Sequence, residues 1–598
     1  MQKYIVMCGG VISGVGKGVA SASIGRILKG YGYNVTIIKI DPYINCDAGT
    51  LRPTEHGEVW VTYDGGEIDQ DLGNYERFLD IDISKRNNIT TGQIYKEVIE
   101  KERRGEFLGE TVQFIPHIPD EIKRRIREVS EGYDITIIEI GGTIGDYENI
   151  PFLFAMKSME REIGRENIIY GLVSYLPVPY NLEEMKTKPT QIATKLLTEN
   201  GIFPDFILCR AFKPLDSVRK KKIETYANIE ADYVISAPDV EGSLYVIPLN
   251  FEKENLGIKL LKKLNLNPKT TPDWFRWKEL VNRLANPKKN IKVAIVGKYV
   301  DVGDYNLMDS YISINESLKH AGAELDVGVE IVWIDSKKFE ENLDSVKILK
   351  NYQGLIIPGG FGSSGVEGKI NAIRFARMNN IPFLGLCYGM QLAVVEFARN
   401  VCGLESAHST EINGETKYPV IDLLPEQRRV SQKGGTMRLG AYAASLSQSK
   451  ILRLYQELDK VRLDGERIIN LKQNQSQKFR IGGTVGDNTV LEIHRHRYEV
   501  NNEYVKILEE HGLSFPGKHT REDGTELMEF IELSSHKFFI ATQAHPEFTS
   551  RFTKPNPLFY GLVRSASEGM ESKEDSKWNN KEINNDEIRI ERIAKKSF

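Results

Sequence analysis

Cysteine is scarce: the 598 residues hold five, scattered singly at positions 8, 46, 209, 387 and 402. No pair stands in a Cys-x-x-Cys or other metal-ligand spacing, and nothing suggests a disulfide framework, so the chain suits a reducing compartment. Long apolar runs are missing too; none is long enough to span a bilayer. The opening Met1-Gln-Lys-Tyr-Ile-Val-Met7 runs straight into a strand pattern and leaves no room for a signal peptide. Neither sign of charge dominates, with 79 Lys+Arg against 83 Asp+Glu. A net charge of −4 provides no global field for nucleic acid or an anionic membrane. These absences point to a soluble cytoplasmic protein with neither kind of partner. The length exceeds what one hydrophobic core supports, so at least two domains are expected.

What is present is a succession of strands and helices. Tyr4–Cys8 reads as a buried strand, Gly9-Gly-Val-Ile-Ser13-Gly14-Val15-Gly16-Lys17-Gly18 as a glycine loop, and Val19 onward as a helix. Strand, glycine loop with lysine, then helix is the arrangement that cradles phosphate with backbone N–H groups. It departs from the usual P-loop at Gly18, which stands where a Ser or Thr hydroxyl would hold Mg²⁺. A metal must then be held by carboxylates from elsewhere. Glu139, near the end of the β-branched run Asp134–Ile140, is one candidate, because ligands bind beyond the carboxyl ends of strands in open α/β sheets. Asp71, in the acid-rich loop from Gly65 to Gly73, is the other, although such a loop alone is more often solvated surface. Lys39, ending another strand, offers a second cation. Further strands at 168–173, 205–210 and 232–237 alternate with helices, which implies a doubly wound, mainly parallel sheet. Lys186-Thr187-Lys188-Pro189-Thr190-Gln191 is a compact set of anion and base-edge donors. Taken alone it reads better as a helix start with solvated lysines.

From about 267 to 290 the strand pattern lapses and three prolines punctuate a polar, Trp-containing stretch, expected as a linker with one short helix. A second α/β unit follows. Its Pro382-Phe-Leu-Gly-Leu-Cys387-Tyr-Gly reads as a nucleophile elbow, a reactive side chain on a sharp strand-to-helix turn. A helix N-terminus favours a thiolate there, suited to acyl transfer. A cysteine taken at random is more often inert core, so the choice depends on partners. Gly359-Gly360-Phe-Gly362 offers backbone donors to an oxyanion, each worth roughly 2.7–4 kcal/mol of transition-state stabilisation. His545 and Glu547 in His-Pro-Glu lie at i and i+2 of an extended segment, on one side, with Glu547 placed to orient the imidazole. Elbow cysteine, glycine loop and His-x-Glu together indicate a Cys-His-Glu triad.

These residues resemble the class I glutamine amidotransferases, and the whole chain resembles the CTP synthase family. The phrases that carry the likeness are Gly9 to Gly18, Lys39-Ile-Asp-Pro-Tyr-Ile-Asn45, His56-Gly-Glu-Val59, Lys186 to Gln191, Gly434-Gly-Thr-Met-Arg438-Leu-Gly and His494-Arg-His-Arg497-Tyr-Glu-Val-Asn. It runs in order from residue 1 to about 567. The fold it implies is α/β: two doubly wound, mainly parallel-sheet domains, a P-loop-like amidoligase at 1–267 and a class I glutamine amidotransferase at 291–568, joined by a linker at 268–290. A charged tail, 569–598, is expected to be disordered.

The resemblance also implies a chemistry. ATP phosphorylates the 4-oxygen of UTP, and ammonia released from L-glutamine at Cys387, His545 and Glu547 travels inside the protein to displace it, giving CTP. Gly360, Tyr388, Gln391, Glu411 and Arg497 would surround glutamine. Gly14, Val15, Gly16, Lys17, Gly18, Val19, Lys39, Asp71, Asp239 and Val240 would bind ATP, with Mg²⁺ on Asp71 and Glu139. Ser13, Lys186 to Gln191 and Lys222 match the UTP site. Ser13, Asp146, Tyr147 and Glu148 match the contacts of CTP as feedback inhibitor. GTP is the implied allosteric activator, with Arg438 in the candidate lid, and His56 and Val59 match the tunnel gate. A homotetramer, and filaments, are implied as well. Three features depart from the family pattern: Tyr388 after the nucleophile, His408 before Ser-Thr-Glu, and a polar insertion from Asp464 to about Thr489, expected as flexible surface. Two other readings compete, a P-loop amidoligase acting on a corrin carboxylate and a non-catalytic partition-type ATPase or scaffold. The Lys186–Gln191 phrase argues against the first and an intact triad against the second.

Overall fold

The structure is a computed structural model that describes residues 2–49, 51, 57–180, 184–297, 311–423, 437–473, 475–484 and 486–568. The first unit is built on β1 (Lys3–Gly9), β2 (Val35–Asp41), β3 (Asn88–Thr90), β4 (Ile135–Ile140), β5 (Ile168–Tyr175), β6 (Phe206–Ala211) and β7 (Val234–Pro238). All seven are parallel, in the order β3-β2-β4-β1-β5-β6-β7. Every residue of β1, β2 and β4 is buried, which is why these segments read as unbroken β-branched runs. The strand order turns around at β1, flanked by β4 and β5, and the crevice beyond its carboxyl end receives the glycine loop. Helix α1 (Lys17–Gly30) starts directly after Gly16, whose φ of 88° is open to glycine and strained for other residues.

Among the described residues the main sheet of the second unit has nine strands: β8 (Lys289–Gly297), β9 (Val327–Asp335), β10 (Gly354–Ile357), β11 (Phe383–Leu386), β12 (Arg438–Leu446), β13 (Thr489–His496), β14 (Leu513–Thr520), β15 (Glu526–Leu533) and β16 (Phe539–Thr542). Their order is β9-β8-β10-β11-β16-β15-β14-β12-β13. The first five are parallel and the rest join antiparallel, an extension that the periodicity does not announce.

The two units share apolar contacts. Tyr245 stacks on Phe552 at 3.9 Å and Trp60 meets Phe548 edge-on at 5.0 Å. The segment expected as a linker does carry one helix, Phe275–Ala285, but its Trp277 is fully buried against Phe78, Tyr245 and Phe552. The insertion expected as flexible surface is instead, in its described residues, largely helical and partly buried. It forms helix α2 (Lys460–Gln473) and the 3₁₀ turn Gln475–Arg480, with Asp464, Ile468, Arg480 and Ile481 inside. Its polarity misleads because the charges are paired across the domain boundary: Arg467 donates to Asp82 at 2.9 and 3.0 Å. The tail at 569–598, Gly434 to Thr436 and His56 lie outside the described residues.

Candidate active sites

Register brings the second centre together. Leu386 of β11 pairs with Thr542 of the parallel neighbour β16, and Ile357 of β10 pairs with Gly385. The residues following each strand therefore emerge at one end: Gly359–Gly362, Cys387 and Gln543–Glu547. Cys387 has φ 49° and ψ −100°, the strained elbow, and helix α3 (Tyr388–Asn400) begins at once. His545 Nδ1 and Glu547 Oε1 are 2.7 Å apart, which fixes the tautomer and turns Nε2 toward the thiol. Burial by itself would depress this imidazole; Cys387 and then Glu547 outweigh it and push His545 up to about 10.

The surroundings are built by residues the sequence only partly flags. A Cβ on Gly359 would sit 2.7 Å from His545 Cε1, so only glycine allows the loop this close to the imidazole. A Cβ on Gly360 would meet Lys369 Nζ and Tyr388 Cδ1, each at 3.9 Å, in ordinary van der Waals contact. Tyr388 is buried and its hydroxyl donates to the Gly362 carbonyl at 2.9 Å, while the Gly362 N–H donates to Glu411 at 3.1 Å. The departure at Tyr388 thus buttresses the glycine loop through its side chain. Gln391 donates to the Tyr498 carbonyl at 3.0 Å, next to Arg497 in sequence. Gln543, not singled out beforehand, donates toward Cys387 Sγ at 3.6 Å. It stands two residues before His545 in an extended segment, a signal present in the sequence. Arg438 does not project as a lid: its buried guanidinium pairs with Glu499 at 2.9 Å and Glu529 at 2.8 Å, and the two carboxylates offset the cost of burying its charge. His408 is also buried, its Nδ1 accepting from the Ser409 N–H at 2.9 Å.

In the first unit Lys39 and Glu139 face each other across β2 and β4. The Lys39 ammonium lies 2.5 Å from Asp71, 3.6 Å from both Asp41 and Asp69, and 3.7 Å from Glu139. Four carboxylates on one lysine hold its pKa well above the usual value despite burial. Burial pushes the Asp41 carboxyl up to about 7, even with Lys39 opposing. Glu139 is raised, first by burial, and accepts from the Tyr75 hydroxyl at 2.5 Å. Burial also favours the neutral form of Asp71, but Lys39 dominates and its pKa is lowered. A Cβ on Gly18 would clash with the Asp71 carboxylate at 2.5 Å. The carboxylate occupies the ground where the missing hydroxyl would project. Asp41 and Asp69 were not chosen from the sequence, although Asp41 shares a strand face with Lys39.

Lys17 is buried and donates to the Gly142 carbonyl at 2.7 Å. Gly16, Val19, Asp239 and Val240 line one cavity of about 150 Å³ with Arg210, which donates to the Val15 carbonyl at 3.2 Å and to Asp239 at 2.6 Å. Ser13 and Gly14 lie exposed at the loop's tip. In the Lys186–Gln191 segment, Thr190 is buried and accepts from Ser174 at 2.8 Å, and Gln191 donates to Thr187 at 3.1 Å. Lys188 is exposed and Pro189 opens the helix Lys188–Glu199. Glu184 gathers Lys186 at 2.9 Å and Arg219 at 3.1 Å, and its pKa is lowered chiefly by Lys186, with Arg219 and Lys222 adding to it. Lys222 otherwise lines a surface groove that includes none of the other residues assigned to UTP. Asp146 accepts from the Thr143 N–H at 2.6 Å, and Tyr147 and Glu148 are exposed. Val59 is buried.

The centres are physically linked. Arg495 donates to Glu67 at 2.8 Å, and its own carbonyl lies 4.0 Å from Cys387 Sγ. Glu67 is followed by Asp69 and Asp71 of the lysine cluster. Among the described residues no helix is long and apolar enough to cross a membrane.

Residues 3–266 match the family model "CTP synthase N-terminus" and residues 306–565 match "Glutamine amidotransferase class-I". The chain is 51% identical to the CTP synthase of Methanocaldococcus jannaschii over 95% of this chain and 98% of that one. It is 50% identical to the CTP synthase of Pyrococcus abyssi, over 96% and 99%. Among solved structures it is similar to the Trypanosoma brucei CTPS glutaminase domain with bound acivicin, at 32% identity and a TM-score of 0.38, over 47% of this chain and 95% of that one. By identity over nearly its whole length, the chain belongs to the CTP synthase family.

Proposed function

We propose that the protein makes CTP from UTP, using ATP and ammonia that it cuts from L-glutamine. One observation carries the reading. A thiol-imidazole-carboxylate array and a lysine-centred carboxylate cluster stand at the strand ends of two sheets, joined through Glu67 and Arg495. In the second unit, Cys387 attacks the glutamine amide carbon while Gly360 and its neighbours receive the oxyanion. His545, held by Glu547, gives its proton to the leaving nitrogen, and a thioester to Cys387 remains for water to hydrolyse. Tyr388, Gln391, Glu411 and Arg497 hold the substrate's other end. Ammonia in neutral water is mostly protonated and no longer nucleophilic, so passage inside the protein past His56 and Val59 preserves it.

In the first unit, Gly14 to Val19 and Lys39 hold the phosphates of ATP, with Asp239 and Val240 at the adenine. Ser13, Lys186 to Gln191 and Lys222 hold UTP, whose 4-oxygen becomes a phosphate leaving group for ammonia to displace. The donor set of Asp71 and Glu139 fits Mg²⁺, a hard cation served by carboxylate oxygens, in a cluster with more negative charge than Lys39 neutralises. Bound there, Mg²⁺ would neutralise charge developing on the transferred phosphate. Feedback by CTP at Ser13 and Asp146 to Glu148, activation by GTP, a homotetramer with filaments, and a cytoplasmic location belong to the same reading by family resemblance. The division into 1–267, 268–290 and 291–568 does as well.

The test supplies UTP, ATP and Mg²⁺ with either glutamine or ammonium and follows CTP. Cys387→Ala should lose synthesis from glutamine and keep it from ammonium; loss of both in a folded variant would sink the two-centre reading. Lys17→Ala should lose CTP from either nitrogen source while glutamine hydrolysis survives. CTP from ammonium in that variant would overturn the phosphate-loop assignment.

A further inference from the structure

The insertion between β12 and β13 has no part in either centre, yet it grips one turn of the first unit from two directions. That turn, Thr62–Gly66, closes the hairpin Trp60–Val61 with Glu67–Ile68. Arg467 of α2 lies over the Tyr63 ring at 5.0 Å and is held by Asp464 at 3.1 Å and Asp82 at 2.9 Å. Arg480, at the other end of the insertion, donates to the Asp64 carbonyl at 3.0 Å and to the Leu439 carbonyl at 2.5 Å. One of those carbonyls belongs to each unit.

Arg480 is 5% exposed, and its acceptors are backbone carbonyls and the Gln477 amide, with no carboxylate among them. A buried guanidinium with neutral partners costs more than a paired one. What it supplies here is a rigid fork that spans two backbones. Beneath it the backbones touch directly, with the Ala441 N–H donating to the Tyr63 carbonyl at 3.0 Å. Gly65 and Gly440 both have positive φ, and a Cβ on Gly440 would lie 2.6 Å from the Gly65 nitrogen. The far side of the same hairpin carries Glu67, which takes Arg495 beside the thiol, and leads into Asp69 and Asp71 at Lys39.

We infer that helix α2 (Lys460–Gln473) and the turn Gln475–Arg480 form a strap that registers the two centres, and that Arg480 is a positioning residue for the transfer of ammonia between them. This rests on the functional reading above. The strap holds the hairpin that carries Glu67 to Arg495 and leads into Asp69 and Asp71, so loosening it should let ammonia escape while neither chemistry is damaged.

The experiment uses the full-length protein with glutamine, ATP, UTP and Mg²⁺, and measures glutamate and CTP in the same samples. The wild type should give close to one CTP per glutamate. Arg480→Ala should lower that ratio several-fold, while glutamate release and CTP synthesis from ammonium stay within about twofold of the wild type. Arg480→Lys, a single ammonium without the fork, should fall between them. A wild-type ratio in Arg480→Ala would overturn the inference, as would a parallel fall in glutamate release and ammonium-dependent synthesis at constant ratio. Should Arg480→Ala not fold, Arg480→Lys decides, a wild-type ratio again being the overturning result. A wild type that makes no CTP from either nitrogen source would instead defeat the functional reading itself.

Discussion

The Asp71 carboxylate fills the space next to Gly18: a Cβ added there would meet Asp71 Oδ1 at 2.5 Å. The two residues are 53 positions apart, and each accounts for the other. A side chain at 18 would displace the carboxylate from Lys39, and with it the oxygen that, in the proposed function, replaces the usual P-loop hydroxyl. Gly18→Ser, which restores the common motif, should therefore reduce activity. We expect CTP synthesis from both glutamine and ammonium to fall on the order of 10²-fold, the cost of misplacing a reacting group by about 1 Å. Basal glutamine hydrolysis should persist, and a steady-state comparison of the two activities checks this.

Gly359 has the same relation to His545 in the other centre, where an added Cβ would sit 2.7 Å from Cε1. Gly359→Ala should push the imidazole from its line with Cys387. Glutamine hydrolysis should fall ~10²-fold and ammonium-dependent synthesis should not change. Assaying both nitrogen sources on one preparation distinguishes this from misfolding.

The pH dependence of hydrolysis follows from the raised pKa of His545. Burial opposes the imidazolium, and the charges of Cys387 and Glu547 more than restore it, to about 10. A raised pKa keeps the proton available through neutral pH and loses it only as pH climbs through about 10. Glu547→Gln removes one of the two charges, so the alkaline limb of glutamine hydrolysis should move to lower pH. The maximum should also drop, roughly 10²–10⁴-fold, as expected when an orienting carboxylate is lost. A pH–rate profile whose alkaline limb stays in place would contradict the assigned cause.

Trp277 tests the interface. It is fully buried against Phe78, Tyr245 and Phe552, and its indole N–H donates to the Tyr245 carbonyl at 2.7 Å. Trp277→Ala should cost about 3–5 kcal/mol. Because Phe552 comes from the second unit, thermal scans should show earlier unfolding of both units, and a shift confined to one would contradict the shared core.

Local pattern carried much of this molecule. The β-branched runs read as buried parallel strands, the elbow at Cys387 and the His545–Glu547 pair followed from spacing, and Gly18 already implied that carboxylates must come from elsewhere. These are properties of short segments, where backbone geometry and side-chain alternation act within a few residues. Asp41, Asp69 and Arg495 read locally as ordinary polar residues, because what distinguishes them is the neighbours that segments far apart in sequence bring to them. The insertion misled for the same reason. Its charges look solvated until Asp82, Asp64 and Leu439 are brought to them from other segments. Composition and spacing alone thus determined two α/β units, a thiol elbow and a glycine loop with lysine but without the usual hydroxyl. Tertiary structure decided which carboxylates surround Lys39, which residues connect the centres, and that the polar insertion spans them, since a buried charge acquires its partner only when the chain has closed around it.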